Sequence, residues 1–202
     1  KKEFDNHREK QTPHKVMEEK KLNAIPFAHK DLHLWRNSRN HGVKYLHPEL
    51  NLQLRGGIDD VWKIKGSNPP ELIIVDYKAQ SKDIEVEKEE YLSDQYHQGY
   101  KRQLDFYRYL FKKNDFKIYP IGYFLVYNAL KTRESLGTEM KFERVLIEYE
   151  YEYSVEKIEA MVRDMKKVMD GEKIPESNQY CQNCAFIKAG SKLLNGKEKI
   201  KK

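Results

Sequence analysis

Cysteine is nearly absent: the chain of 202 residues holds two, Cys181 and Cys184. A pair so close in sequence cannot build a disulfide scaffold, so the chain reads as one that works in a reducing compartment, the cytoplasm. Long apolar runs are also missing. No stretch approaches the roughly 18 apolar residues that a spanning helix needs, and the opening Lys1-Lys2-Glu3-Phe4-Asp5 is no secretory core. There is no glycine loop of the phosphate-binding type, no nucleophile elbow around a serine, and no repeat at a solenoid period. Nucleotide hydrolases of that type, serine hydrolases and repeat scaffolds are thereby set aside. An initiator Met is lacking too, and Lys1 reads as the start of a fragment or of a processed chain.

What remains is a very polar chain with enough apolar material to fold. Charged residues make up 35% and apolar residues 39%, against about 25% charged in an average domain. Aromatics at 12%, with 14 Tyr and 8 Phe, argue against disorder. The length suits one sizeable domain. We expect residues 1–190 to form it, with an irregular, partly helical part at 1–50, a core at 51–130 and a strand and helix at 138–170; residues 191–202 read as a basic, flexible tail. The net charge of +6 permits a nucleic-acid partner without demonstrating one. The oligomeric state is not legible.

Along the chain, Lys1–Lys21 reads as helix interrupted by Pro13, and a short helix is expected near Asp31–Arg39. Asn51–Lys65 alternates like a strand and bends at Gly56-Gly57. Gly66–Pro70 is a turn, and Glu71–Ala79 is an apolar strand that closes a hairpin. Glu87–Asn114 reads as one long helix with Tyr96, Tyr100, Leu104, Tyr107 and Phe111 on its buried stripe. Tyr119–Ala129 and Thr138–Tyr153 read as strands. Ser154 caps a helix with Val155, Ile158, Met161, Val162, Met165 and Met169, closed by Gly171.

One constellation carries chemistry. Asp76 and Lys78 are two apart on the apolar strand and share a face with Leu72 and Ile74. A carboxylate and an ammonium at the edge of an apolar core are costly unless they pair or bind something. The hairpin turning at Gly66–Pro70 brings Asp59 beside them. Paired carboxylates suit a hard divalent cation, and a lysine beside them stabilises charge on a phosphoryl oxygen. Gln103 and Tyr107 share one face of the long helix.

These pieces, Gly56-Gly57-Ile58-Asp59, then Ile73-Ile74-Val75-Asp76-Tyr77-Lys78, then Gln103-Leu104-Asp105-Phe106-Tyr107, resemble the PD-(D/E)xK nuclease superfamily. The likeness is to its RecB-like branch, which includes the CRISPR-associated adaptation nucleases. The resemblance implies an α/β fold with a restriction-endonuclease-like core. That core has a central mixed sheet with flanking helices in the order α-β-β-β-α-β, here with an additional strand and helix. It implies a deoxyribonuclease dependent on Mg²⁺ or Mn²⁺, with DNA as partner, no membrane, and work in repair, restriction, phage replication or CRISPR adaptation. Asp59, Asp76 and the main-chain carbonyl of Tyr77 would be metal ligands, Lys78 the catalytic lysine, and Gln103 and Tyr107 would border the substrate. The alternative is a nuclease fold without catalysis that binds DNA or a protein.

The branch also carries a first motif, a His or acidic residue on an N-terminal helix. Glu3, Asp5, His7 and Glu9 are the candidates, none in a distinctive context. Asp60 faces away from Asp59 and is a reserve ligand. An iron–sulfur cluster takes four cysteines, so none is expected on Cys181 and Cys184. His29, His33, His41 and His47 read as surface or cap residues, and His97 as a residue within reach of the channel. Lys101, Arg102, Arg108, Lys112 and Lys113 read as a solvated face, or as a track for a phosphate backbone.

Overall fold

The computed structural model of the chain describes residues 1–130 and 141–198. In chain order the elements are α1 (Lys2–Lys10), α2 (Lys15–Glu19), β1 (Ala24–Pro26), α3 (Leu32–Trp35), β2 (Val43–His47), β3 (Leu52–Gly56), β4 (Asp60–Ile64) and β5 (Glu71–Gln80). There follow α4 (Lys88–Ser93), a 3₁₀ turn at Gln95–His97, α5 (Gln98–Lys113), β6 (Lys117–Ile118), β7 (Ile121–Ala129), β8 (Phe142–Glu150), α6 (Val155–Asp170) and α7 (Gln182–Glu198). Two compact units divide the chain, Lys1–Arg163 and Asp164–Lys202. The helix α7 continues through 191–198, where the sequence reads as a tail.

The first unit is built on a mixed sheet in the order β1-β4-β5-β7-β8, with β6 also on β5. β5 pairs with β4 antiparallel and with β7 in parallel. The parallel pair is joined through α5, as a crossover connection requires. Burial alternates along β5. Leu72 and Ile74 pack with Leu104, Tyr107 and Leu110 of α5, whereas Ile73 and Val75 pack with Phe4 of α1 and Val16 and Met17 of α2. This is the expected mixed α/β architecture, a central sheet with helices on both faces.

Several elements differ from the sequence reading. Asn51–Lys65 is not a bent strand pair in the main sheet. β3 leaves the sheet to pair with β2 as a separate ribbon, and only β4 joins β5. The third strand ahead of α5 is instead the short β1, which pairs with β4. At three residues it is too short to show a period. The long helix breaks at Asp94, whose backbone is extended (ψ 127°) and whose Oδ1 accepts from the Tyr96 N–H at 2.9 Å. Tyr96 therefore lies outside the buried stripe and is exposed. The expected start of the following strand, residues 138–140, lies outside the described residues, and β8 begins at Phe142.

The α1 side of the sheet is fastened by one buried carboxylate. Asp60 Oδ1 accepts from Arg8, from Arg36 Nη2 at 2.7 Å and from the Val61 N–H at 2.9 Å; its Oδ2 accepts from Tyr77 OH at 2.7 Å and Trp62 Nε1 at 3.3 Å. Arg8 also donates to the Phe27 carbonyl, and Arg36 to Asp5 at 2.8 Å. This one side chain thus ties α1, the loop after α3, β4 and β5 together. Replacing it would leave two buried guanidinium groups sharing Asp5 as their one carboxylate partner. We expect Asp60→Ala to lower the unfolding free energy by about 3–5 kcal/mol, read by denaturant titration. A change under about 0.5 kcal/mol, the usual size for an inert surface substitution, would show that Asp60 does not hold the elements together.

Candidate active site

β5 sets the site by its parity. Asp76 and Lys78 point to the α5 face with Leu72 and Ile74, and Tyr77 points to the α1 face. Asp59 sits at the bend entering β4, where its Oδ2 accepts from the Tyr77 N–H at 2.9 Å. Its Oδ1 lies 2.9 Å from Lys1 Nζ. The structure thus brings Asp59, Asp76 and Lys78 together at one end of the β4–β5 hairpin, as the turn position requires.

The two carboxylates differ in character. The Asp59 side chain is 29% exposed, and that of Asp76 only 3%. Burial pushes the Asp76 carboxyl up to about 6; Lys78 offsets part of the shift, and the neighbouring Asp59 charge adds to it. Lys78 Nζ stands 2.5 Å from the buried Asp76 Oδ2, so the ammonium is the charge partner of this oxygen. A carboxylate buried in an apolar setting with a single ammonium as its partner is costly. A hard cation shared with the more exposed Asp59 would satisfy it, and such cations accept few protein carboxylates with waters completing the shell. The donor set fits Mg²⁺ or Mn²⁺ in that sense. Among the described residues, no group of three or more His, Cys, Asp or Glu side chains converges on a cation site.

Lys78 is held from three sides. Its Nζ donates to Gln103 Oε1 at 3.1 Å and lies 4.0 Å from the centre of the Tyr100 ring. Gln103 Nε2 donates to Tyr107 OH at 2.6 Å, and Tyr107 OH donates to the Gly57 carbonyl at 2.6 Å. This chain of hydrogen bonds runs from the lysine back to the bend that carries Asp59. Close packing explains both glycines there. A Cβ at Gly56 would stand 2.6 Å from the Tyr107 ring, and one at Gly57 would stand 2.5 Å from Ser38 Cβ. Tyr100 was read from the sequence as core; its place three residues before Gln103, on the same helix face, is the signal that links it to Lys78.

The other candidates are engaged elsewhere. Asp5 is bound by Arg8 and Arg36, Glu3 lies 2.8 Å from His14, and His7 contacts Thr12; Glu9 is exposed. The reserve ligand Asp60 is the buried hub on the opposite face. His97 is buried, its Nδ1 against the Tyr91 carbonyl and its ring against Tyr91 and Tyr100. His47 is not a surface residue: it is buried 2.5 Å from Glu159, which Tyr109 and Lys113 also contact. Burial raises the Glu159 carboxyl, but the bonds from Lys113, His47 and Tyr109 outweigh this and hold it down at about 2. The basic face of α5 is also partly internal, because Lys101 pairs with Glu152 and Arg108 lies 4.7 Å from the Tyr151 ring centre. In the second unit both thiols are free, and Cys181 Sγ accepts from the Cys184 N–H at 3.4 Å.

Gly56→Ala is expected to push Tyr107 off the Gly57 carbonyl and to cost about 1–3 kcal/mol of stability. Thermal or denaturant unfolding checks this. An unchanged midpoint would show that Tyr107 is free to move and does not fix the bend.

Among known protein families, the model of the PD-(D/E)XK nuclease superfamily matches residues 2–189. No curated protein and no solved structure matches the chain. The match covers the sheet, α5 and the bend that carries Asp59. The chain belongs to the PD-(D/E)XK nuclease superfamily.

Proposed function

We propose that the chain is a divalent-metal-dependent deoxyribonuclease of the RecB-like branch that hydrolyses phosphodiester bonds of DNA. The observation that carries this is the convergence of the buried Asp76 carboxylate with Asp59 and Lys78 at one end of the β4–β5 hairpin. In this reading Asp59, Asp76 and the main-chain carbonyl of Tyr77 hold Mg²⁺ or Mn²⁺. The bound cation supplies Lewis acidity at a phosphoryl oxygen and lowers the pKa of a bound water.

The chain's own groups do the rest. Asp76 and Asp59 fix the position of the charge centre. Lys78, held by Gln103 and by the Tyr100 ring, keeps its ammonium where negative charge grows on the phosphoryl oxygens in the transition state. Burial pushes the Tyr107 hydroxyl up to about 12, so it stays protonated and keeps its bond to the Gly57 carbonyl at the substrate border. Gln103 spans Lys78 and Tyr107 and sets the distance between them. The free thiols accord with work in the cytoplasm. No helix among the described residues is long and apolar enough to cross a membrane. Repair and CRISPR adaptation are the settings that the branch suggests.

A second reading, a nuclease fold that binds DNA or a protein without cutting, draws on the engagement of Glu3 and Asp5 in other contacts. Cleavage of linear, supercoiled and single-stranded DNA with Mg²⁺ or Mn²⁺ separates the two. Cutting that chelator stops is expected; its absence with every substrate and both metals supports the binding module.

Two further outcomes follow. Asp76→Ala should abolish cleavage and metal binding together. Lys78→Ala should lower the rate about a hundredfold to a thousandfold while Mn²⁺ still binds, because an ammonium is no ligand for a hard cation. Wild-type cleavage by Lys78→Ala would reduce Lys78 to an ion-pair partner. The pH dependence has a fixed sign. Asp76 keeps its proton up to about pH 6 and must lose it to take a cation. Mn²⁺ affinity should therefore be level above about pH 6 and fall towards tenfold per pH unit below it. Calorimetric titration from pH 5 to 8 reads this, and a level affinity throughout would remove Asp76 from the ligand set.

A further inference from the structure

A cavity of about 510 Å³ opens apart from the carboxylates, lined by His29, Lys30, Trp35, His41, Lys44 and Phe116 among others. Its volume is that of a small-ligand site. One wall is aromatic: the His29 ring stacks on Trp35 at 4.3 Å, and Phe116 meets both edge-on, 5.4 Å from Trp35 and 5.8 Å from His29. His29 Nδ1 accepts from the Asp31 N–H at 3.2 Å, which leaves Nε2 to carry the proton as a donor.

The rest of the lining is basic. Among the described residues, the side chains of Lys30, His41 and Lys44 have no ion-pair or hydrogen-bond partner, and Asp31 is the sole acidic group of the lining. Arg8, Arg36, Lys78, Lys101 and Lys113 by contrast each meet a carboxylate, while Lys63 and Arg108 lie over aromatic rings. Unmatched cations around an aromatic-walled cavity suit a ligand with a planar apolar body and an anionic group.

The cavity adjoins the bend of the candidate site. Gly42, one of its lining residues, has φ +80°, and a Cβ there would stand 2.7 Å from the Gly56 carbonyl oxygen. Asn114, also in the lining, lies seven residues beyond Tyr107, about 10 Å along a helix.

We propose that this cavity binds one nucleotide unit of the DNA strand, with the base against the aromatic wall and the phosphate at Lys30, His41 and Lys44. The proposal deepens the nuclease reading and rests on it for the source of the nucleotide. A free mononucleotide offers the same chemistry. Stacking on aromatic side chains contributes to single-strand binding without sequence preference, and phosphate contacts make it salt-dependent.

The test uses the full chain in chelator, so that nothing is cut. Fluorescein-labelled dT12 is titrated by anisotropy, and dTMP, thymidine and inorganic phosphate by Trp emission, since Trp35 lines the cavity. The variants are Lys30→Glu/Lys44→Glu and His41→Ala, checked for folding by circular dichroism; Lys30→Arg/Lys44→Arg serves as the conservative control. Expected are a loss of affinity for dT12 of tenfold or more in the Glu variant, a smaller loss in His41→Ala, wild-type binding in the Arg variant, and a shallower salt dependence in the Glu variant. Loss confined to dT12 names the strand as the source, and loss confined to dTMP names the free nucleotide; either supports the cavity as a nucleotide site. Wild-type affinity for both ligands in the folded Glu variant overturns the proposal, as does inorganic phosphate binding as tightly as dTMP. A chain that cuts DNA but ignores these substitutions keeps the nuclease reading and loses the cavity. A chain that binds through the cavity but cuts DNA with neither Mg²⁺ nor Mn²⁺ keeps the cavity and loses the nuclease reading.

Discussion

In the antiparallel β4–β5 pair, a slip of one residue would carry Asp76 and Lys78 to the α1 face and Tyr77 to the α5 face. Every feature of the site depends on that register. It is fixed by apolar burial on both sides, since Leu72 and Ile74 are enclosed under α5 while Ile73 and Val75 are enclosed under α1 and α2. A strand so confined cannot shift without exposing one set and burying charge in place of the other. The same confinement keeps the Asp76 carboxylate away from water and its proton affinity high.

The two faces of the hairpin treat their carboxylates in opposite ways. On the α1 side, Asp60 is saturated by two arginines, a tyrosine, an indole and a backbone amide, so nothing is left for a ligand. On the α5 side, Asp76 has Lys78 as its ion-pair partner, and Asp59 is partly open to solvent. Tyr77 joins the two: its hydroxyl closes the Asp60 network and its backbone N–H orients Asp59. The rigid side therefore positions the open side. A fully bonded carboxylate and a partly exposed one stand next to each other in sequence, at Asp60 and Asp59, on opposite sides of the hairpin.

Much of this was legible in the sequence, for identifiable reasons. The i, i+2 spacing of Asp76 and Lys78 and the turn at Gly66–Pro70 are local, and they carried the convergence with Asp59; the i, i+4 spacing carried the Gln103–Tyr107 pair. What stayed hidden depends on contacts that hydrophobic period does not register, some of them distant in sequence. β1 is recognisable only by its pairing with β4. The departure of β3 to β2 is decided at Gly56-Gly57, where glycines mark a bend without saying where the chain goes next. The break at Asp94 came from a side chain competing for a backbone N–H, which hydrophobic period does not register. The burial of His47 against Glu159 links residues 112 positions apart.

The central claim is that Asp59 and Asp76 share one divalent cation. Anomalous diffraction from crystals grown or soaked with Mn²⁺ above pH 7 tests it most directly. The account requires a single strong Mn²⁺ peak within ligand distance, about 2.0–2.3 Å, of carboxylate oxygens of both residues, with Lys78 turned to Gln103. Mn²⁺ found elsewhere, or both carboxylates unchanged and unliganded at saturating Mn²⁺, would contradict it.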